Sequence, residues 1–128
     1  ACARMIRDNN EKYGNDSVRF MLKDIVTEEY PKVDLIICRD VLFHLQQSMA
    51  LEVIEKVHKS CSLFISTTFP YTTTNKKLTG GWGFYTINLA IDPFSLSRYE
   101  VEKRHEVKCG QKNNMRFVCM YELNKYNQ

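Results

Sequence analysis

Apolar and polar positions follow two different periods along the chain, and the changes of period mark out the elements. Residues 33–38, Val-Asp-Leu-Ile-Ile-Cys, form a nearly continuous apolar run of strand length behind the turn-forming Tyr30-Pro31-Lys32. A strand buried on both faces reads this way, and such strands belong to parallel sheets covered by helices. Over residues 47–60 the period becomes helical. Ala50, Val53, Ile54 and Val57 form one stripe, while Glu52, Glu55, Lys56 and Lys59 point away from it. Residues 61–69 return to an apolar, β-branched run that Pro70 closes. Strand, helix and strand in this order predict a βαβ crossover, which is right-handed in nearly all proteins.

The flanking segments are less regular. Residues 1–13 place Cys2, Ile6 and Tyr13 on one face of an otherwise polar helix, with Gly14 as a left-handed cap. Asn15 to Ser17 are turn formers, and Val18 to Leu22 read as a short strand ending near Lys23 and Asp24. Residues 71–97 are irregular, with several threonines and aromatics and the string Gly80-Gly81-Trp82-Gly83. A stretch this long reads as a lid or a disordered segment. Residues 99–107 and 115–123 alternate as two strands, with a hairpin loop from Cys109 to Asn114. The fold class is therefore α/β, a single domain over residues 1–128, with mostly parallel strands and a C-terminal antiparallel hairpin.

Composition narrows the function classes. The 128 residues suffice for one domain or part of one. With 44% hydrophobic and 26% charged residues the chain reads as a folded protein and not a disordered one. A net charge of +3 is too weak to mark a nucleic-acid binder by itself. Arg98, Lys103, Arg104, Lys108, Lys112 and Arg116 flank or occupy the terminal hairpin, but Glu100, Glu102 and Glu106 dilute them. That pattern reads as a solvated charged face, with nucleic acid left open as a substrate. No apolar run reaches the roughly 18 residues of a membrane span, and no secretory signal opens the chain. The five cysteines form no CxxC pair, so neither a zinc ribbon nor a thioredoxin motif is indicated. Their odd number favours free thiols in a reducing, cytoplasmic setting. Cys38 and Cys61 lie in apolar runs and read as small buried hydrophobes. A chain that opens with Ala1 on a polar helix is expected to begin partway through something larger.

In open α/β sheets ligands bind beyond the carboxyl ends of the strands. That rule selects residues 23–25, 39–44 and 67–70. Asp40 and His44 stand four apart, so on a helical turn both would lean to one side and could orient an acceptor or take its proton. The competing reading makes Asp40 a turn cap and His44 a packing residue beside Phe43 and Leu45. Asp24 is open to the same reading, as a turn residue. A phosphoacceptor receiver domain would need an earlier acidic pair and a later lysine, and Phe69-Pro70 stands where that lysine belongs.

The string VRFMLKDIVTEEYPKVDLIICRDVLFHL, followed by FISTTFP and GFYTINLAIDPFSL, resembles class I S-adenosylmethionine-dependent methyltransferases from about Met5 to Leu123. The resemblance implies a Rossmann-like sheet and S-adenosylmethionine as cofactor. It implies that Asp24 and Ile25 meet the adenine, that Cys38 and Arg39 line the methionine side, and that Asp40 and His44 face the methyl group and its acceptor. Trp82, Phe84, Tyr85 and Phe94 would cover the substrate or pack as structure. The family's opening strand, glycine-rich loop, helix and acid-ended second strand have no counterpart, and residues 1–13 match the helix that follows them. The fold is thus expected to be truncated at the N-terminus, with one edge of the central strand open to self-association. Without the ribose carboxylate and a second charged contact, each worth roughly 1.5–3 kcal/mol, a micromolar site weakens to about millimolar. The expected function is methyl transfer to an oxygen or nitrogen nucleophile, most simply on a small molecule and not at a membrane, by the parent domain. The alternative is a catalytically silent methyltransferase-like interaction module.

Overall fold

The computed structural model describes residues 2–76, 83–107 and 115–124. Its elements are helix α1 (Ala3–Tyr13), strand β1 (Leu35–Cys38), helix α2 (Gln47–Ser60) and strands β2 (Leu63–Thr68), β3 (Glu100–Val107) and β4 (Arg116–Glu122). Short 3-10 turns occupy Leu42–His44 and Leu96–Tyr99. The strands form one sheet in the order β1-β2-β4-β3. β1 and β2 are parallel, with Leu35 opposite Leu63 and Cys38 opposite Ser66, as a β1-α2-β2 crossover requires. β4 lies antiparallel between β2 and β3.

The α/β sheet is therefore mixed, but mostly antiparallel with one parallel pair, which corrects the expectation of mostly parallel strands. The difference lies in residues 18–22. Instead of a strand they give a single bridge between Asn15 and Val18. The backbone groups that a ladder would use at Phe20 are taken by a side chain: its N–H donates to Asn10 Oδ1 (2.8 Å), and its carbonyl accepts from Asn10 Nδ2 (2.7 Å). Val18, Met21 and Leu22 consequently stay exposed.

α1 forms as expected, but Gly14 does not end it in a left-handed conformation, since its φ is −67°. Glycine is required there by contact. A Cβ at that position would lie 2.4 Å from the Asn10 carbonyl oxygen, which accepts the Gly14 N–H.

The core gathers the α2 stripe (Ala50, Val53, Ile54, Val57) with Phe64 of β2 and Cys119 and Tyr121 of β4. Each large apolar side chain buried there contributes roughly 1.5–3 kcal/mol. Ile36 and Cys38 pack against this cluster, whereas Leu35 and Ile37 on the alternate face are 40% and 63% exposed. β1 is thus buried on one face and not on both. Part of the described 71–97 stretch enters the core, whereas residues 71–76 do not. Tyr85, Ile87, Leu89, Phe94 and Leu96 are buried, and Phe69 N–H donates to the Ile87 carbonyl (2.8 Å). Tyr71 and Phe84 are exposed aromatics of this stretch. Trp82, with Gly80 and Gly81, and the Cys109–Asn114 loop lie outside the described residues. Among the described residues no helix is long and apolar enough to cross a membrane.

Candidate functional site

Residues 24–28 fold into a turn that consumes their own polar groups. Asp24 Oδ1 accepts the Val26 N–H (2.8 Å) and the Thr27 N–H (3.3 Å), and Glu28 Oε2 accepts the Asp24 N–H (2.6 Å). These are the bonds by which aspartate builds turns. Chiefly through the Val26 N–H, they hold the Asp24 carboxyl below its ordinary range. Two long side chains tie the turn to the rest of the domain. Tyr30 donates its hydroxyl to the Ile25 carbonyl (2.5 Å), and Lys56 Nζ donates to the Val26 carbonyl. Burial pushes the Tyr30 hydroxyl up to about 12.

This turn faces the end of the Leu42–His44 turn and the start of α2 across a cleft of about 830 Å³. Asp24, Ile25 and His44 line it together, with Leu22, Leu45 and Met49 supplying apolar wall. The size falls within the roughly 300–1,000 Å³ of small-molecule sites. The His44 ring packs on Phe43 at 4.4 Å between centroids, yet His44 remains exposed and lines the cleft. Tyr85 fixes the wall by donating its hydroxyl to the Leu45 carbonyl (2.5 Å).

Asp40, Cys38 and Arg39 do not line this cleft. Asp40 has φ 56°, a left-handed conformation that aspartate tolerates better than most residues. That turn breaks the helical path on which a four-residue spacing would stack Asp40 and His44. Thr67 anchors Asp40 twice: its Oγ1 accepts the Asp40 N–H (2.9 Å) and donates to Asp40 Oδ1 (3.0 Å). Arg116 of β4 approaches Oδ1 at 3.3 Å, and Arg39 approaches Oδ2 at 3.9 Å. The Cys38 carbonyl accepts the Ser66 hydroxyl (2.9 Å), and burial pushes the Cys38 thiol up to about 11, in keeping with a packing role. The sequence reading selected Thr67 among residues 67–70 and named Arg116 in the basic hairpin, but gave neither of them this role. The signal for Thr67 was a polar Ser66-Thr67-Thr68 run in an otherwise apolar strand, all three side chains being buried. In the described hairpin, Lys103 pairs with Glu100 (2.9 Å) and Arg104 with Glu102 (2.6 Å), so its basic charge is partly neutralised.

No family model and no curated protein matches the chain. Solved structures do. The small RNA methyltransferase HEN1 superposes with a TM-score of 0.52 at 17% identity, over 78% of this chain and 15% of that one. PigF, solved with SAH, superposes with a TM-score of 0.58 at 15% identity, over 93% of this chain and 39% of that one. The fold is shared with methyltransferases. The chain spans well under half the length of either structure.

The cleft fits one part of an S-adenosylmethionine-type ligand. Leu22, Ile25 and Met49 offer the apolar walls that a purine ring needs. The polar half of such a ligand finds less. The lining carboxylates of Asp24 and Glu28 are engaged within the turn, and Lys23 donates to the Glu29 carbonyl (3.1 Å) and pairs with Glu28 (3.7 Å). Among the described residues the cleft has no glycine-lined wall.

Proposed function

We propose that the domain to which this chain contributes transfers a methyl group from S-adenosylmethionine to an oxygen or nitrogen nucleophile. The observation that carries the reading is the convergence of Asp24, Ile25 and His44 on one nucleoside-sized cleft in a fold shared with methyltransferases. Bound S-adenosylmethionine supplies a methyl carbon on a sulfonium, and the carbon–sulfur electron pair returns to sulfur as a neutral thioether. Leu22, Ile25 and Met49 enclose the adenine, against the turn that Asp24 shapes. His44 aligns the acceptor and takes its proton on a ring nitrogen as the acceptor lone pair forms the new bond to carbon. Asp40 acts through the backbone of residues 39–44, which Thr67 and Arg116 hold in place. Cys38 and Arg39 border the methionine side by packing and backbone. Free thiols at Cys2, Cys38, Cys61 and Cys119 support a reducing, cytoplasmic setting.

With its ribose and carboxylate contacts lacking among the described residues, this chain alone holds the cofactor at about millimolar strength. Titration with S-adenosylhomocysteine, followed by amide chemical shifts, should perturb residues 22–28 and 44–49 first. Methyl transfer to an added acceptor, measured with a labelled methyl donor, should fall on the order of 100-fold in His44→Ala. Shifts confined to another surface, or unchanged turnover in His44→Ala, would overturn the assignment.

One observation favours a second reading, a silent module that binds through its sheet edge. Among the described residues β1 pairs only with β2, and no charged residue interrupts Leu35–Cys38. An unpaired apolar edge invites strand addition by another chain or a second copy.

A further inference from the structure

A second cleft, of about 510 Å³, opens between residues 71–76 and 84–86. Thr73, Thr74 and Thr86 supply hydroxyls, Lys76 supplies a cation and Phe84 supplies a ring. The walls are held by two asparagines. Asn75 Oδ1 accepts the Asn88 N–H (2.8 Å), Asn75 Nδ2 donates to the Asn88 carbonyl (2.8 Å), and Asn88 Nδ2 donates to the Thr72 carbonyl (2.9 Å). These bonds clamp the 72–75 segment to Asn88, 13 to 16 positions further along the chain.

Phe84 lines this cleft and packs against His44, which lines the first. Its ring meets Phe43, Phe69 and His44 edge-on, with centroids 5.2, 5.8 and 6.2 Å away, and 59% of the residue is still exposed. Three such contacts fix the ring's orientation. His44 therefore lines one cleft and touches the ring that lines the other.

We infer that the second cleft binds the methyl acceptor, and that the acceptor is a planar aromatic ring bearing a hydroxyl group and an anionic group. The inference rests on the proposed methyl transfer and narrows it. An oriented, exposed ring favours a flat partner. Threonine hydroxyls donate to and accept from a phenol equally well. Lys76 attracts an anion, and among the described residues no carboxylate lines the cleft to balance a cationic amine.

Two probes with the same phenol ring and opposite charge decide the matter: 4-hydroxybenzoate and tyramine, each titrated into the intact chain and followed by amide and aromatic chemical shifts. 4-Hydroxybenzoate should shift residues 72–74 and 84–86, and tyramine should bind roughly tenfold more weakly. Phe84→Ala and Lys76→Gln should each weaken 4-hydroxybenzoate binding by about threefold or more. Equal affinity for the two probes, shifts confined to other surfaces, or indifference to both substitutions would overturn the inference. S-adenosylhomocysteine reports separately through residues 22–28. Loss of its binding with 4-hydroxybenzoate binding intact would strike the cofactor reading and leave the second cleft standing.

Discussion

At the scale of single residues, Asp40 shows how a side chain chosen for chemistry turns out to hold geometry. Its left-handed backbone is held by Thr67 on β2 and Arg116 on β4, two strands that are neighbours in the sheet. The bonds therefore tie the segment leading to His44 to the sheet interior. Thr67→Val removes a donor to the carboxylate and an acceptor for the Asp40 N–H. It should cost about 1–3 kcal/mol and lower the melting temperature by several degrees. Thr67→Ser keeps the hydroxyl and should recover most of that loss, whereas a loss of space alone would leave the serine variant no better. Thermal denaturation of the two variants beside the parent chain distinguishes these outcomes. None of this was legible from the four-residue spacing of Asp40 and His44, because spacing assumes a continuous helix and a positive φ ends one. His44 was legible, since a histidine just beyond an apolar strand reaches the sheet rim by whichever turn follows.

At the scale of elements, the sequence pattern carried furthest where burial sets the period. The α2 stripe is buried as read, and the helix spans Gln47–Ser60. The strands at residues 35–38, 63–68, 100–107 and 116–122 each fall within their expected segments. Residues 18–22 failed because alternation measures a strand's suitability and not the presence of a neighbour; Asn10 satisfied Phe20 instead. The 85–96 segment misled in the opposite way. Tyr85, Ile87 and Leu89 are buried at alternate positions without belonging to a strand, and a turn and a 3-10 element deliver Phe94 and Leu96 to the core. The 24–28 turn has its own test. Hydrogen bonds from Val26 and Thr27 depress the Asp24 carboxyl, so the ionised form is the one the turn stabilises. Its contribution is present above the ordinary carboxylate value and is lost as pH falls through the depressed folded value. The Val26 amide shift should therefore titrate below the range of an exposed aspartate. In Asp24→Asn, which can still accept the bond but cannot ionise, that titration should vanish. A Val26 shift that titrates identically in both chains would assign the effect to another group.

At the scale of the whole molecule, we propose that the edge of β1 left without a neighbour among the described residues mediates self-association. Val33, Leu35 and Ile37 occupy alternate positions and are 42%, 40% and 63% exposed, so they present one apolar row along a strand that, among the described residues, pairs only with β2. Natural edges avoid this combination by placing a lysine, a proline or a bulge along the strand. Here the strand itself carries none. The expected consequence is concentration-dependent association, driven by backbone pairing and by burial worth roughly 25 cal/mol per Å² of apolar surface. Ile37→Lys tests this directly, because residue 37 is the most exposed of the row and lies off the core face. Sedimentation velocity of the parent chain over a wide concentration range should show a rising weight-average mass, and the lysine variant should stay monomeric. Its melting temperature should change little, since Ile37 contributes little burial within one copy. A parent chain that remains a monomer throughout would remove self-association from the edge, and an unchanged assembly in Ile37→Lys would place the contact on another surface. Either outcome bears on the cofactor cleft as well. His44 is reached from β1 through residues 39–43, so whatever pairs with that edge also steadies the strand that leads to the site.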